Sequence, residues 1–243
     1  MSALTPMTLS TYECPPTISS PLNETATDAA LVSSLRSTAA RSVAKRLLDI
    51  LGSSIGLLLL SPVLAVVAIL IRRDSRGPIL FRQERMGLNG RVFRCLKFRT
   101  MVPDAEQRLR ELEARNESAG GVLFKIKDDP RITPLGRFLR KSSLDELPQL
   151  WNVLFGEMSL VGPRPLQLRD SEKLEALDAE AYVRRLTVVP GVTGPWQVGG
   201  RSEVDSERMV QLDLDYVDRW SIGVDRTILV KTVAVVVNRQ GAC

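Results

Sequence analysis

Residues 50–71 form a stretch of 22 residues without a charge, and that stretch restricts the fold more than any other. As one helix rising about 1.5 Å per residue it would reach about 33 Å, enough to cross a hydrocarbon core of roughly 30 Å. Two features oppose a simple crossing. Ser61-Pro62 lies near the middle, where a proline removes a backbone hydrogen bond and bends the axis. Cations flank both ends, Arg41, Lys45 and Arg46 before and Arg72, Arg73 and Arg76 after, and the positive-inside rule places both flanks in the cytoplasm. Half the stretch reaches only about 17 Å. Residues 41–76 are therefore expected to form a re-entrant hairpin that dips into one leaflet and returns, broken at Ser61 and Pro62. A kinked transmembrane anchor is the alternative; a buried core helix accords less well with the length and the clustered cations.

The 243 residues, 44% hydrophobic, allow one sizeable domain plus extras. Residues 1–40, rich in Ser, Thr, Ala and Pro, are expected to be a disordered leader. No basic region precedes an early apolar run, so they do not read as a signal peptide. They hold Glu13, Glu24 and Asp28 against Arg36, a net of −2, so the chain's total of +5 leaves +7 on the remainder. A basic body suits anionic partners such as a pyrophosphate or an acidic lipid surface. Nucleic acid fits poorly, because zinc-finger spacing and a recognition helix are both missing. The chain has no histidine, which excludes Ser-His-Asp catalysis and imidazole acid–base chemistry. Cys14, Cys95 and Cys243 lie far apart without a CxxC, which excludes zinc ribbons and iron–sulfur clusters and suits a reducing cytoplasm. P-loop and Gly-x-Gly-x-x-Gly fingerprints are also missing. Chemistry here must come from carboxylates, cations, hydroxyls or an oxygen-ligated metal.

Residues 141–165 are the richest in such groups. The adjacent carboxylates Asp145 and Glu146 precede Leu147, Leu150, Trp151, Leu154, Phe155 and Met158, whose spacing predicts a helix lying on an apolar surface. Pro148 falls in its first turn, where proline costs little. The acids would then lie at a helix N-terminus, between Arg140 and Lys141 on one side and Arg164 on the other. Paired acids beside cations suggest chemistry on a charged group at a membrane surface; an acidic cap on a core helix is the plainer reading. Asp145 among arginines is expected to stay ionised and nucleophilic, able to form an acyl phosphate. Glu146 is suited to Mg²⁺ or Mn²⁺ through oxygen. Lys97, Arg99, Arg140, Arg164 and Arg201 are available to neutralise a pyrophosphate, with a structural ion pair as the lesser alternative for any one arginine.

Around these residues, 78–81 and 91–98 predict a β-hairpin turning at Asn89-Gly90 and ending in Lys97 and Arg99. Residues 104–117 alternate acids and arginines as on a solvated helix, and Gly120-Gly121 marks a flexible loop before 122–127. Residues 169–187, 213–220 and 228–237 read as helices. Residues 190–201, with Gly191, Gly194, Gly199, Gly200, Pro190 and Pro195, read as a loop offering N–H groups to phosphates. Trp151, Tyr216 and Trp220 suit a membrane interface or, equally, a core.

Five blocks carry a family resemblance, in order: Lys97-Phe98-Arg99-Thr100-Met101; Asp129-Pro130-Arg131-Ile132-Thr133-Pro134-Leu135-Gly136; Ser143-Leu144-Asp145-Glu146-Leu147-Pro148-Gln149; Val161-Gly162-Pro163-Arg164-Pro165; and Pro190-Gly191-Val192-Thr193-Gly194-Pro195-Trp196-Gln197-Val198 with Gly200-Arg201. They resemble the bacterial sugar transferase family, the monotopic phosphoglycosyl transferases, over about residues 45–238. The resemblance implies an α+β fold in which a re-entrant membrane helical hairpin is followed by a small, mostly helical cytoplasmic domain with a β-hairpin and interfacial amphipathic helices. The expected division is 1–40 leader, 41–76 membrane helix with its flanks, and 77–243 catalytic domain.

The same resemblance implies transfer of a sugar-1-phosphate from a UDP-sugar to undecaprenyl phosphate with release of UMP, the first membrane step of exopolysaccharide, capsule or O-antigen assembly. By similarity Asp145 is the nucleophile and Glu146 assists Mg²⁺, while Lys97, Arg99, Arg140, Arg164 and Arg201 match positively charged positions of the blocks. Thr193-Gly194-Pro195-Trp196-Gln197-Val198 resembles the branch acting on UDP-glucose or UDP-galactose. The implied setting is the cytoplasmic face of a bacterial inner membrane, with a UDP-sugar, a polyprenol phosphate and downstream glycosyltransferases as partners and no nucleic acid. Two rival readings remain here: a non-catalytic membrane scaffold for glycan assembly, and a basic peripheral membrane or nucleic-acid-binding protein.

Overall fold

The computed structural model describes residues 24–105, 107–108, 129–200 and 205–237, with side chains from residue 42 onward. Arg201, Cys14, Cys243, the expected loop at Gly120-Gly121, residues 122–127 and most of the expected helix at 104–117 lie outside the described residues. Residues 1–40 and 41–243 are two separate units. Of the expected leader, 24–40 is helical and begins α1 (Glu24–Asp74), where Ala26, Ala29, Ala30, Ala39 and Ala40 are strong helix formers; the rest lies outside the described residues.

Within the larger unit, Ser42–Asp74 is the one helix among the described residues long and apolar enough to cross a membrane, with a mean hydropathy of 2.7. The helix runs through Ser61 and Pro62 uninterrupted, so the expected break is not a break in helical backbone. Pro62 has no N–H to offer the Leu58 carbonyl, and the Ser61 hydroxyl donates to that carbonyl instead at 2.8 Å. A side-chain bond of this kind is how a proline is accommodated inside an apolar helix.

Both ends of the apolar stretch are fastened to the body that follows. At the first end, Lys45 lies 2.6 Å from Asp225 and donates to the Val161 carbonyl at 3.0 Å. Asp49, almost fully buried, accepts from the Ser159 hydroxyl and the Leu160 N–H. At the far end, Val67 and Ile71 pack with Phe98 and Leu139. Between these contacts Leu58, Leu59, Val66 and Ile69 remain exposed.

The body is mixed and helix-dominated. Strands β1 (Leu80–Met86) and β2 (Val92–Phe98) pair antiparallel, with Arg85 opposite Phe93, Gln83 opposite Cys95 and Phe81 opposite Lys97. Asn89, at φ 53°, makes the turn that Asn-Gly predicts. Strand side chains alternate, so Arg85, Gln83, Phe93, Cys95 and Lys97 share one face.

Next comes α2 (Pro134–Lys141), capped by Thr133, whose hydroxyl accepts the Gly136 N–H. The chain then passes through a 3₁₀ turn (Leu144–Glu146) into α3 (Gln149–Phe155). Strands β3 (Ser159–Val161) and β4 (Gly191–Thr193) pair in parallel, and α4 (Leu168–Leu177) and α5 (Ala179–Arg185) connect them. The single helix expected over 169–187 is split because Asp178 leaves helical geometry and caps α5 by accepting the Ala181 N–H. Helices α6 (Pro195–Val198), α7 (Ser206–Arg219) and α8 (Ile222–Val237) complete the described chain.

Tertiary packing overturns one expectation and decides between two alternatives left open for the aromatics. Residues 190–198 are not an open loop: the Gly191 N–H donates to the Pro163 carbonyl and the Gly162 N–H to the Thr193 carbonyl. A β-carbon at Gly194 would collide with the Gly162 carbonyl, so the glycine here permits close backbone approach rather than mobility. Of the two readings left open for Tyr216 and Trp220, the core is the one their contacts favour. Tyr216 is buried, its hydroxyl donating to Asp225 Oδ1 at 2.8 Å with the Val161 carbonyl also in reach at 3.1 Å, and the Trp220 ring N–H reaches Asp225 at 3.3 Å.

Candidate active site

The acidic pair lies in the turn between α2 and α3 rather than in the first turn of one helix. Ser143, in left-handed backbone at φ 56°, ends the run from α2 and redirects the chain, and Pro148 then starts α3. The expected apolar stripe divides. Leu150 and Met158 join the buried core, while Trp151 and Phe155, stacked with ring centroids 6.0 Å apart, face outward at 43% and 70% exposure. Asn152 locks α3 to β2 by accepting from the Leu96 N–H and donating to the Arg94 carbonyl. Arg46 donates to the Val153 and Leu154 carbonyls, satisfying the C-terminal end of α3.

The two acids meet different surroundings. Glu146 Oε1 takes Lys97 Nζ at 2.7 Å and Arg164 Nη2 at 3.1 Å. Burial pushes its carboxyl up, but these two charges and their hydrogen bonds outweigh that and hold it well below the usual carboxylate range. Asp145, 7% exposed, has no hydrogen bond or ion pair to its carboxylate among the described residues. Burial and the charge of Glu146 push it up to about 6, while Lys97, Arg140 and Arg164 pull the other way. Desolvation and the adjacent carboxylate outweigh the cations expected to keep Asp145 ionised, so its pKa rises. It is still largely ionised above neutral pH. One carboxylate is clamped and charged; the other is ionised and uncommitted.

The expected cations separate in the same way. Lys97, Arg140 and Arg164 act on the pair. Arg140 spends its Nε on the Thr100 hydroxyl at 3.0 Å, and burial lowers its pKa against the opposing charge of Asp145. Arg99 does not belong to the cluster. Its guanidinium donates to the carbonyls of Ile71, Ser75 and Arg76 and to the Ser75 hydroxyl, closing the C-terminal end of α1. Arg201 lies outside the described residues, and Ser61 and Pro62 belong to α1 rather than to this cluster.

Sequence reasoning missed two buried arginines. Arg85 donates to the Pro165 carbonyl and to Gln83 Oε1, and Arg185 pairs with fully buried Asp213 at 2.7 Å. Strand alternation was the available signal for Arg85, which shares the inward face of the hairpin with Phe93, Cys95 and Lys97.

For a divalent cation the donor set is small. Among the described residues no cluster of three or more His, Cys, Asp or Glu side chains surrounds the pair. Two adjacent carboxylates, one with both oxygens uncommitted, fit Mg²⁺, which keeps waters and takes phosphate oxygens alongside one or two carboxylates. They do not form a complete protein cage.

Residues 40–239 match the family model described as bacterial sugar transferase. The chain is 47% identical over 201 residues to the galactosyl transferase CpsE of Streptococcus agalactiae, covering 82% of this chain and 43% of that protein. It is 45% identical over 203 residues to the undecaprenyl-phosphate galactose phosphotransferase of Salmonella typhimurium, covering 82% and 41%. With the exopolysaccharide production protein ExoY of Rhizobium meliloti it shares 41% over 203 residues, covering 82% and 88%. The chain thus spans less than half the length of the first two relatives and most of the third.

Proposed function

The chain belongs to the bacterial sugar transferase family, and we propose on that basis that it moves a sugar-1-phosphate from UDP-galactose or UDP-glucose to undecaprenyl phosphate, releasing UMP. The observation that carries this reading is the contrast between the two acids: Asp145 is uncommitted, while Glu146 is held by Lys97 and Arg164. A buried carboxylate without partners is costly to keep, and nucleophilic attack gives it a use.

In the first half-reaction an Asp145 oxygen attacks the phosphorus that bears the sugar. The bond from that phosphorus to the UMP oxygen breaks, its electrons leave with UMP, and an acyl phosphate joins the sugar to Asp145. In the second, an oxygen of the lipid phosphate attacks the same phosphorus and Asp145 departs as a carboxylate. Neither half requires a histidine base, because both nucleophiles are anions. Lys97, Arg140 and Arg164 neutralise charge on the pyrophosphate and on departing UMP, in a site where burial strengthens each interaction. Glu146, with Asp145, would hold Mg²⁺ or Mn²⁺, which supplies Lewis-acid neutralisation of phosphate oxygens when bound.

The membrane reading concerns the same site. A polyprenol phosphate keeps its head at the interface, so the acids must sit at that depth. Re-entry of residues 41–76 from the cytoplasmic side of a bacterial inner membrane is supported by the cations on both flanks and by the attachment of both ends to one body. A straight crossing would carry one end roughly 30 Å away across the bilayer. The outward Trp151 and Phe155 suit an interfacial surface on α3. Its lipid product would be the substrate of later glycosyltransferases.

Stoichiometric enzyme mixed with UDP-galactose or UDP-glucose tests the proposal. A burst of UMP and a mass increase of one sugar phosphate are expected before any lipid is added, and Asp145→Asn removes both. UMP that appears only with lipid phosphate, with no adduct, would make the route a direct displacement and Asp145 something other than the nucleophile.

A further inference from the structure

Arg164 reaches Glu146 from a segment, Pro163-Arg164-Pro165, whose two prolines fix φ on either side and remove two N–H groups. Such a segment cannot be held by donating from its prolines, so its carbonyls must accept. Four successive ones do. The Pro163 carbonyl takes the Gly191 N–H at 2.9 Å and the Leu166 carbonyl takes the Met86 N–H at 3.0 Å. Between them, the Arg164 carbonyl takes Arg185 Nη2 at 3.0 Å and the Pro165 carbonyl takes Arg85 Nη1.

The two guanidiniums are unusual donors for this task. Both residues are only 6% exposed. Arg185 is oriented by Asp213, whose Oδ2 accepts from its Nε at 3.1 Å and from its Nη2 at 2.7 Å. Arg85 has no carboxylate within ion-pair reach among the described residues; its second contact is Gln83 Oε1 at 2.7 Å. Burying an unpaired guanidinium costs far more than a neutral donor would, so satisfying one carbonyl does not explain it. What the two share is the backbone on either side of the Arg164 peptide. The Arg164 guanidinium itself lies 5.3 Å from the Trp196 ring centroid and 3.1 Å from Glu146 Oε1.

We propose that Arg85 and Arg185 are positioning residues that clamp the backbone carbonyls on either side of the Arg164–Pro165 bond and thereby hold the Arg164 guanidinium against Glu146. This rests on reading Asp145 and Glu146 as the active site. The clamp acts through Arg164 and touches no substrate.

A double-mutant cycle tests it on the whole 243-residue chain in nanodiscs. Arg85→Lys and Arg185→Lys keep the charge but lose the forked geometry. Each is expected to lower kcat for UMP release at least tenfold while KM for the UDP-sugar changes less than threefold. In an Arg164→Gln background neither should lower kcat further, because the residue they act through is gone. The second readout is independent of turnover. With 5-fluorotryptophan at Trp151, Trp196 and Trp220, the Trp196 resonance, assigned by Trp196→Phe, should move in Arg164→Gln. It should move the same way in each Lys variant and no further in the doubles. If Arg185→Lys fails to fold, Asp213→Asn, which releases Arg185, replaces it in the same cycle; if Arg85→Lys fails, Gln83→Met, which removes the Oε1 acceptor of Arg85, replaces that one. Losses that multiply independently of Arg164, or a Trp196 resonance indifferent to Arg85 and Arg185, overturn the clamp. A wild-type protein that releases no UMP but shows the fluorine coupling refutes the transferase reading and leaves the clamp standing.

Discussion

Replacing the proposed nucleophile should make the protein more stable. Asp145 titrates at about 6 in the fold, against 3.8 when exposed, because burial and Glu146 disfavour its charge. A rise of about 2 units at roughly 1.4 kcal/mol each means that ionised Asp145 costs the folded state about 3 kcal/mol at pH 8. The cost is absent below pH 3.8, where the group is protonated in both states. It grows as pH rises and is complete above about 6. Asp145→Asn, nearly the same size and uncharged, removes it. The variant should therefore unfold roughly 6–12 °C above the wild type at pH 8, and within about 3 °C of it at pH 4. Glu146 moves in the opposite direction: its lowered pKa contributes stability that is lost as pH falls below the usual carboxylate range, in both proteins alike. Thermal unfolding of the two proteins in identical nanodiscs at pH 4, 6 and 8 measures the difference. An Asn variant less stable than wild type at pH 8, or a difference that does not change with pH, would refute the argument that Asp145 is held ionised against its surroundings.

Turnover should rise through about pH 6 as Asp145 ionises and level off above it, measured as initial UMP release between pH 5 and 8. Glu146→Gln should cut turnover by several orders of magnitude with the fold intact by circular dichroism, since it leaves Lys97 and Arg164 without their carboxylate; excess EDTA should abolish wild-type activity and Mg²⁺ restore it, and full activity in chelator would remove the metal from the proposal. Arg99→Lys should lower stability by about 2–3 kcal/mol, from the lost bonds at the end of α1, while kcat and KM at a permissive temperature stay within about threefold of wild type. A large, selective loss of kcat would return Arg99 to the site.

The features legible in the sequence were those carried by neighbouring residues. Absence of charge over 50–71, Asn89-Gly90 between two alternating runs, and the adjacency of Asp145 and Glu146 are each local facts, and each keeps its meaning in the fold. The ordered blocks added Lys97 and Arg164, which do meet Glu146. Periodicity reports which residues share a face, at intervals of two or about 3.6. It does not report which faces touch. Arg99 and Arg164 look equivalent as block cations, yet one closes the end of α1, 23 to 28 residues back in the chain, and the other lies on Glu146. Glycines at 191 and 194 look like loop residues until β3 and β4 bring two backbones together. The direction of the Asp145 pKa shift was not legible, because neighbouring cations are visible in a sequence and desolvation is not. Burial is a property of the packed body, assembled from contacts such as Arg85 to Pro165 across 80 residues and Arg46 to Val153 across 107. The sequence determined which groups are present; packing decided which of them are left without a partner.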